Sequence, residues 1–181
     1  MPSETVPQHR SGCPVNISLE VFGDRWSLLI VRDLMVRGFR TFQDFLDSGE
    51  GIATNILADR LRRLQQAGVV EAERDPNDGR RVNYRLTKKG IDLAPVMLEL
   101  LIWGAQHENS GAPPALVAEM ARSREAVLAE TQRRWRDRDP RPMLPWLGGP
   151  KRLSQPTQPN GTGPSGEHKA ETTSRRREKR K

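Results

Sequence analysis

Residues 52–86 read IATNILADRLRRLQQAGVVEAERDPNDGRRVNYRL, and this stretch decides the fold. Over residues 52–68 the apolar Leu57, Leu61 and Leu64 recur at i, i+4 and i+7, the spacing of one helix face. With about 100° between successive residues, the opposite face carries Asn55, Asp59, Arg62 and Gln66, flanked by Ala58 and Arg63. Gly68 is placed where a helix ends on a left-handed residue. Residues 69–74 and 81–86 then alternate as strands, with Val82, Tyr84 and Leu86 on one side. Asp75-Pro76-Asn77-Asp78-Gly79 between them is a turn sequence, and Arg80 and Arg81 stand at its tip. The stretch predicts a helix followed by a two-stranded hairpin.

Upstream, Val15, Ile17, Leu19, Val21 and Phe22 give a short helix that starts near Pro14 and ends near Gly23. Asp24 is placed to cap a second helix over residues 25–37, with Trp26, Leu29, Ile30 and Leu34 on its apolar face and Gly38 as its stop. Trp26 reads as core. Thr41 with Asp44 three residues on resembles a capping box, opening a short helix with Phe42, Phe45 and Leu46 inward. Ser48-Gly49-Glu50-Gly51 is a turn, and Thr54 is a better cap than Ala53 for the helix that follows. Short helix, glycine-containing turn and longer helix make a helix-turn-helix, with the hairpin as a wing.

Downstream, Thr87 caps a long helix through Ile91, Leu93, Val96, Met97, Leu100, Leu101 and Trp103 to about residue 108, bent near Pro95. This helix is too apolar for a monomer's surface and predicts a partner subunit. After a linker at 109–114, residues 115–137 read as one further helix, either completing a dimer contact or lying as a semi-independent surface helix. The fold class is therefore mainly α with a small antiparallel β wing, a winged helix-turn-helix, plus an extra C-terminal helix and a disordered basic tail. Its parts are a flexible arm at 1–12, the core domain at 13–108, the helix at 115–137, and a Pro/Gly-rich tail at 139–181.

The charge is lopsided. Residues 148–181 hold nine Lys/Arg against three Asp/Glu, while the first 147 hold 21 against 20, so the pI of about 10.3 belongs mostly to the tail. No apolar run approaches the ~20 residues of a membrane span. The single cysteine, Cys13, excludes an intramolecular disulfide framework and favours a reducing cytoplasm. Three scattered histidines show no metal-ligand spacing, and no nucleophile motif or phosphate loop is present, so neither a cofactor nor an enzymatic role is expected.

A polar helix face beside an arginine-tipped hairpin suits double-stranded DNA, the helix in the major groove and the hairpin on the backbone. Thr54, Asn55, Ala58 and Asp59 are the base-reading candidates: Asn pairs with adenine edges, Asp accepts from cytosine, and Ala or the Thr methyl meets a thymine methyl. Asp59 can equally pair with Arg62 or Arg63 and hold them in place. Arg62, Arg63, Arg80, Arg81 and Lys88 are candidates for phosphate or minor-groove contacts, with Arg40 and Thr41 at the entry to the short helix as further backbone candidates. A winged fold used only for protein–protein contact is the alternative.

Several motifs in order resemble the HxlR-type winged helix-turn-helix regulators of bacteria: Cys13-Pro14-Val15, Gly23-Asp24-Arg25-Trp26-Ser27-Leu28-Leu29-Ile30, Leu57-Ala58-Asp59-Arg60-Leu61-Arg62-Arg63-Leu64, Tyr84-Arg85-Leu86-Thr87-Lys88-Lys89-Gly90 and Trp103-Gly104. The resemblance covers about half of the chain. It implies a cytoplasmic homodimeric repressor or activator, held by its first and last core helices, on a pseudo-palindromic operator and released by a small-molecule or oxidant inducer. Cys13 matches a cysteine through which some members sense oxidants; on its own residues it reads first as a small buried apolar side chain. The resemblance stops after Gly104 and is silent on the 115–137 helix and the tail.

Overall fold

Leu57, Leu61 and Leu64 are all but sealed from solvent, and the first core forms around them. The computed structural model describes residues 10–76 and 78–147. In chain order the elements are α1 (Pro14–Phe22), α2 (Arg25–Arg32) running into a π-turn (Asp33–Arg37), α3 (Phe42–Leu46), α4 (Thr54–Gln66), β1 (Val70–Arg74), β2 (Val82–Leu86), α5 (Lys88–Ile91), α6 (Ala94–His107), α7 (Pro114–Arg122), α8 (Arg124–Arg136) and a closing 3₁₀ turn (Pro145–Leu147). Ile30, Val31, Leu34, Phe39 and Phe45 complete the core under α4. Each such side chain contributes about 1.5–3 kcal/mol on burial.

Local chemistry sets the boundaries. The Asp24 carboxylate accepts from the Trp26 and Ser27 N–H groups at 3.0 and 3.1 Å and starts α2. Thr41 and Asp44 close the expected capping box, with Asp44 also accepting from Arg40 N–H at 3.0 Å. Gly68 sits at φ +67° and ends α4. The N-cap of α4 is Ala53 with no side-chain bond, so Thr54 is the first helical residue rather than the cap. The expected bend near Pro95 is a break: α5 ends at Ile91 and α6 starts at Ala94.

The wing is an antiparallel pair with Val70 opposite Leu86 and Arg74 opposite Val82. Beyond it, Asp75 N–H donates to the Arg81 carbonyl at 2.9 Å. Trp26 is half-buried against the core, with the Arg25 guanidinium 4.4 Å over its ring.

Three expectations about the C-terminal half are corrected. Residues 115–137 are not one helix but two, broken at Ser123, whose hydroxyl donates to Glu119 at 2.9 Å while Arg124 pairs with Glu99 of α6 at 2.6 Å. No glycine or proline marks that break; serine favours it by offering a local hydrogen bond. Nor is α8 semi-independent: Trp135 Nε1–H donates to the Leu86 carbonyl at 2.7 Å, Arg85 Nη2 donates to the Trp135 carbonyl at 2.7 Å, and Arg138 pairs with Glu73 through two bonds of 3.0 and 3.1 Å. The tail begins later than residue 139. Because α2 and its π-turn stop at Gly38, the Val36 carbonyl has no helical partner, and it accepts from Met143 N–H at 2.7 Å and Leu144 N–H at 3.2 Å.

Gly38 is required there, with φ +73° and the Pro140 carbonyl 2.5 Å from where a Cβ would stand. Leu144 joins Leu98, Ile102 and Met120 in a second core between α6 and the extension. The expected basic tail over 148–181, and most of the arm expected at 1–12, lie outside the described residues.

A buried ionic group ties the π-turn to the turn ahead of α4. Asp33, 2% exposed, contacts Arg32 at 2.7 Å and Arg37 at 3.2 Å. Arg32 reaches on to Glu50 at 2.9 Å, and Arg37 donates to the Ser48 carbonyl at 3.1 Å. Replacing Asp33 with Ala leaves the buried Arg37 without its carboxylate; the expected cost is about 3–5 kcal/mol. Urea unfolding followed by circular dichroism reads this directly, and a loss under ~1 kcal/mol would show the group to be no more than a surface-type pair.

Candidate nucleic-acid interface

With three leucines turned into the core, α4 presents its other side to solvent. Thr54, Asn55 and Ala58 are exposed on the first turns of that side. Asp59 is half-buried, and its carboxylate gathers arginines: Arg60 at 2.6 Å, Arg63 at 2.8 Å, and Arg62 in close contact. The alternative role of Asp59, holding the arginines in place, is thus the one its contacts describe. Arg62 and Arg63 keep 66% and 63% of their side-chain surface in water, so their charges remain available above the helix.

Arg60 was not singled out from sequence, yet it connects two elements. Its Nε lies 3.0 Å from Asp24, the residue that caps α2, so α4 is pinned to the start of α2. Burial pushes the Asp24 carboxyl up, but bonds from Ser27 and the Arg60 guanidinium outweigh it and hold the group below the usual carboxylate range. Nothing short of the fold reveals this pairing, since the two residues stand far apart in sequence.

At the wing, Arg80 is exposed and Arg81 half-buried, and Arg80 N–H donates to Asp78 at 3.1 Å. Lys88 is exposed on α5 and pairs with Asp92. Its neighbour Lys89 donates to the Ala67 carbonyl at 2.8 Å and so caps the end of α4, a role the sequence did not disclose.

Arg40 and Thr41 are corrected as backbone candidates. Arg40 turns inward, its Nη1 donating to the carbonyls of Leu34 at 2.8 Å and Phe39 at 2.5 Å. Thr41 is buried, its hydroxyl spent on capping α3.

Cys13 is exposed, not a packed core residue, and it is the N-cap position of α1. The backbone N–H groups of Asn16 and Val15 lower its thiol pKa below the ordinary value.

Exposed apolar side chains cluster on two helices, Val15 and Leu19 on α1 and Val96, Leu100 and Trp103 on α6. Among the described residues no helix is long and apolar enough to cross a membrane.

Known proteins share this architecture. The YodB regulator of Bacillus subtilis strain 168, named an HTH-type transcriptional regulator, is 34% identical over 100 residues, which is 55% of this chain and 88% of that protein. YybR of the same organism, also named an HTH-type transcriptional regulator, is 30% identical over 101 residues, 56% of this chain and 80% of that one. A Synechocystis relative with the same kind of name is 32% identical over 88 residues, 49% of this chain and 64% of its own length. Among solved structures, the crystal structure of PA1607, a candidate transcription factor, matches with TM-score 0.52 and 40% identity over 57% of this chain and 71% of that one. The HxlR-like helix-turn-helix family profile matches residues 21–111, half of the chain, and the chain belongs to that family.

Proposed function

We propose that this chain is a homodimeric transcriptional regulator of the bacterial cytoplasm that reads a pseudo-palindromic operator with α4 and grips the flanking backbone with its wing. The observation that carries the reading is the division of α4. Its leucines are locked in the core, while Thr54, Asn55 and Ala58 stand clear beside arginines organised by Asp59. Side chains of that length and chemistry suit base edges, and the arginines suit phosphates. The exposed apolar faces of α1 and α6 support the dimer, because a surface with Trp103 57% exposed calls for cover.

Asn55→Ala is expected to cost about 1–3 kcal/mol on a selected operator and to relax preference at one base pair of each half-site. Replacing Arg80 and Arg81 together with alanine should weaken specific and scrambled DNA alike and lower the salt slope by roughly one per lost phosphate contact. Fluorescence anisotropy on both DNAs at several salt concentrations separates the two patterns. If neither change affects DNA binding, the winged fold serves protein–protein contact instead.

The dimer is checked by light scattering at micromolar concentration, where a monomer mass would overturn it. A dimer should also protect two half-sites spaced by about one helical turn, ~10 base pairs, or a multiple of that.

Cys13, exposed and with its thiol favoured toward thiolate, is proposed as an oxidant-responsive switch of the same regulator. Diamide treatment should release operator from the native protein and leave Cys13→Ser bound. The same release from both proteins would remove the residue from regulation.

A further inference from the structure

A cleft of about 380 Å³ lies between the wing and the C-terminal extension. Leu34 and Met35 of the π-turn, Tyr84 and Leu86 of β2, and Trp135 of α8 give it apolar walls. Five arginines also line it, against two carboxylates, Glu73 and Asp139. Three of the five are matched: Arg138 with Glu73 at 3.0 Å, Arg141 with Asp139 at 2.8 Å, and Arg134 with Glu130 at 2.8 Å.

Arg40 and Arg85 are matched less well. The Nη1 of Arg40 is spent on the carbonyls of Leu34 and Phe39, which carry no net charge. Arg85 donates to the Trp135 carbonyl and lies 5.2 Å from the centre of the Trp135 ring, and its ion pair with Glu71 is long, 3.8 Å. Burial, and the Arg85 charge nearby, hold the Arg40 guanidinium below its ordinary pKa, outweighing the opposing pull of the Asp44 and Asp139 carboxylates. Among the described residues, the carboxylates acting on this half-buried pair of like charges, Asp44, Asp139 and Glu71, make no close ion pair with either guanidinium, so an anion placed directly between the two would be stabilised.

We propose that this cleft is a binding site for a small organic carboxylate, its apolar body against Trp135 and Met35 and its carboxylate between Arg40 and Arg85. The volume is near the lower end of ligand pockets, roughly 300–1,000 Å³, which suits a molecule of one or two rings. A guanidinium presents paired donors that match a carboxylate's two oxygens. An inorganic anion would satisfy the charges and leave the indole and thioether walls in water. The ligand would touch β2 and α8 together, so its binding would bear on how the wing is held. The binding itself does not depend on the chain reading DNA, and its test contains none.

Isothermal titration of the full chain with naphthoate, its uncharged isostere naphthamide, and inorganic phosphate tests the site. Saturable one-site binding of naphthoate is expected, with naphthamide about tenfold weaker or more, because it lacks the charge-assisted bonds. Arg40→Lys should keep most of the affinity and Arg40→Met lose about tenfold, while Arg122→Met, outside the cleft, should bind as the unaltered chain does. Circular dichroism establishes that each variant is folded. Should Arg40→Met not fold, the naphthoate–naphthamide comparison on the unaltered chain still decides. No binding of naphthoate, equal affinity for naphthoate and naphthamide, phosphate binding as tight as naphthoate, or a folded Arg40→Met with undiminished affinity would each overturn the proposal.

Discussion

The Asp33 carboxylate is the constraint on which the arrangement of the helix-turn-helix depends. It lies 2% exposed with Arg37 over the Phe39 ring at 4.4 Å, and Arg37 and Arg32 extend from it to Ser48 and Glu50. Burial pushes the Asp33 carboxyl up even though two guanidiniums adjoin it, so desolvation outweighs their attraction. Such a group is a poor source of folding free energy, and the leucine face of α4 supplies that instead. What the ions add is position. Hydrophobic burial is non-directional, and three leucines alone would let α4 slide or roll on the core. The charged hydrogen bond of Arg37 to the turn ahead of the helix, and the ion pair of Arg60 with Asp24, remove that freedom.

The wing has a comparable division between what forms it and what holds it. A two-stranded hairpin is marginal in isolation. Here both strands are fastened from outside: on β2, Tyr84 N–H donates to the Arg40 carbonyl at 2.6 Å and Trp135 donates to the Leu86 carbonyl, and on β1 Arg138 pairs with Glu73. The extension that supplies Trp135 and Arg138 is anchored in turn by Leu144 in the second core and by the Val36 carbonyl. The wing's orientation therefore depends on residues 124–147, well beyond the region that the family profile matches.

This separation explains what could be read from the chain. The period of Leu57, Leu61 and Leu64, the Thr41–Asp44 box, the Asp24 cap and the hairpin turn are local features, and local features leave a local signature. The outward position of Thr54, Asn55 and Ala58 follows from the same period. An arginine beside a cap carries the sequence signature of a solvated side chain, whereas the Leu34 and Phe39 carbonyls draw Arg40 inward. The break at Ser123 has no helix-breaking residue, and the docking of residues 143 and 144 depends on a carbonyl exposed by the end of another helix. Pairings such as Asp24 with Arg60, or Arg85 with Trp135, are set by tertiary approach alone, and no periodicity encodes them.

Asp59 shows how these two kinds of information combine at the surface of α4. Taken alone, a carboxylate there would be repelled by phosphates. In place it is surrounded by Arg60, Arg62 and Arg63, and even with Asp24 counted against Arg60 the group remains net positive. The carboxylate therefore does not reverse the field at the helix surface; it restricts the arginines within it. Long side chains lose rotamer freedom when they bind, about 0.5–1.5 kcal/mol each, and holding them beforehand reduces that loss. Arginines held in this way leave Thr54, Asn55 and Ala58 as the unpaired, short side chains of the helix's leading turns. Under the proposed function, sequence preference would reside in those few positions, and attraction in the arginine cluster behind them.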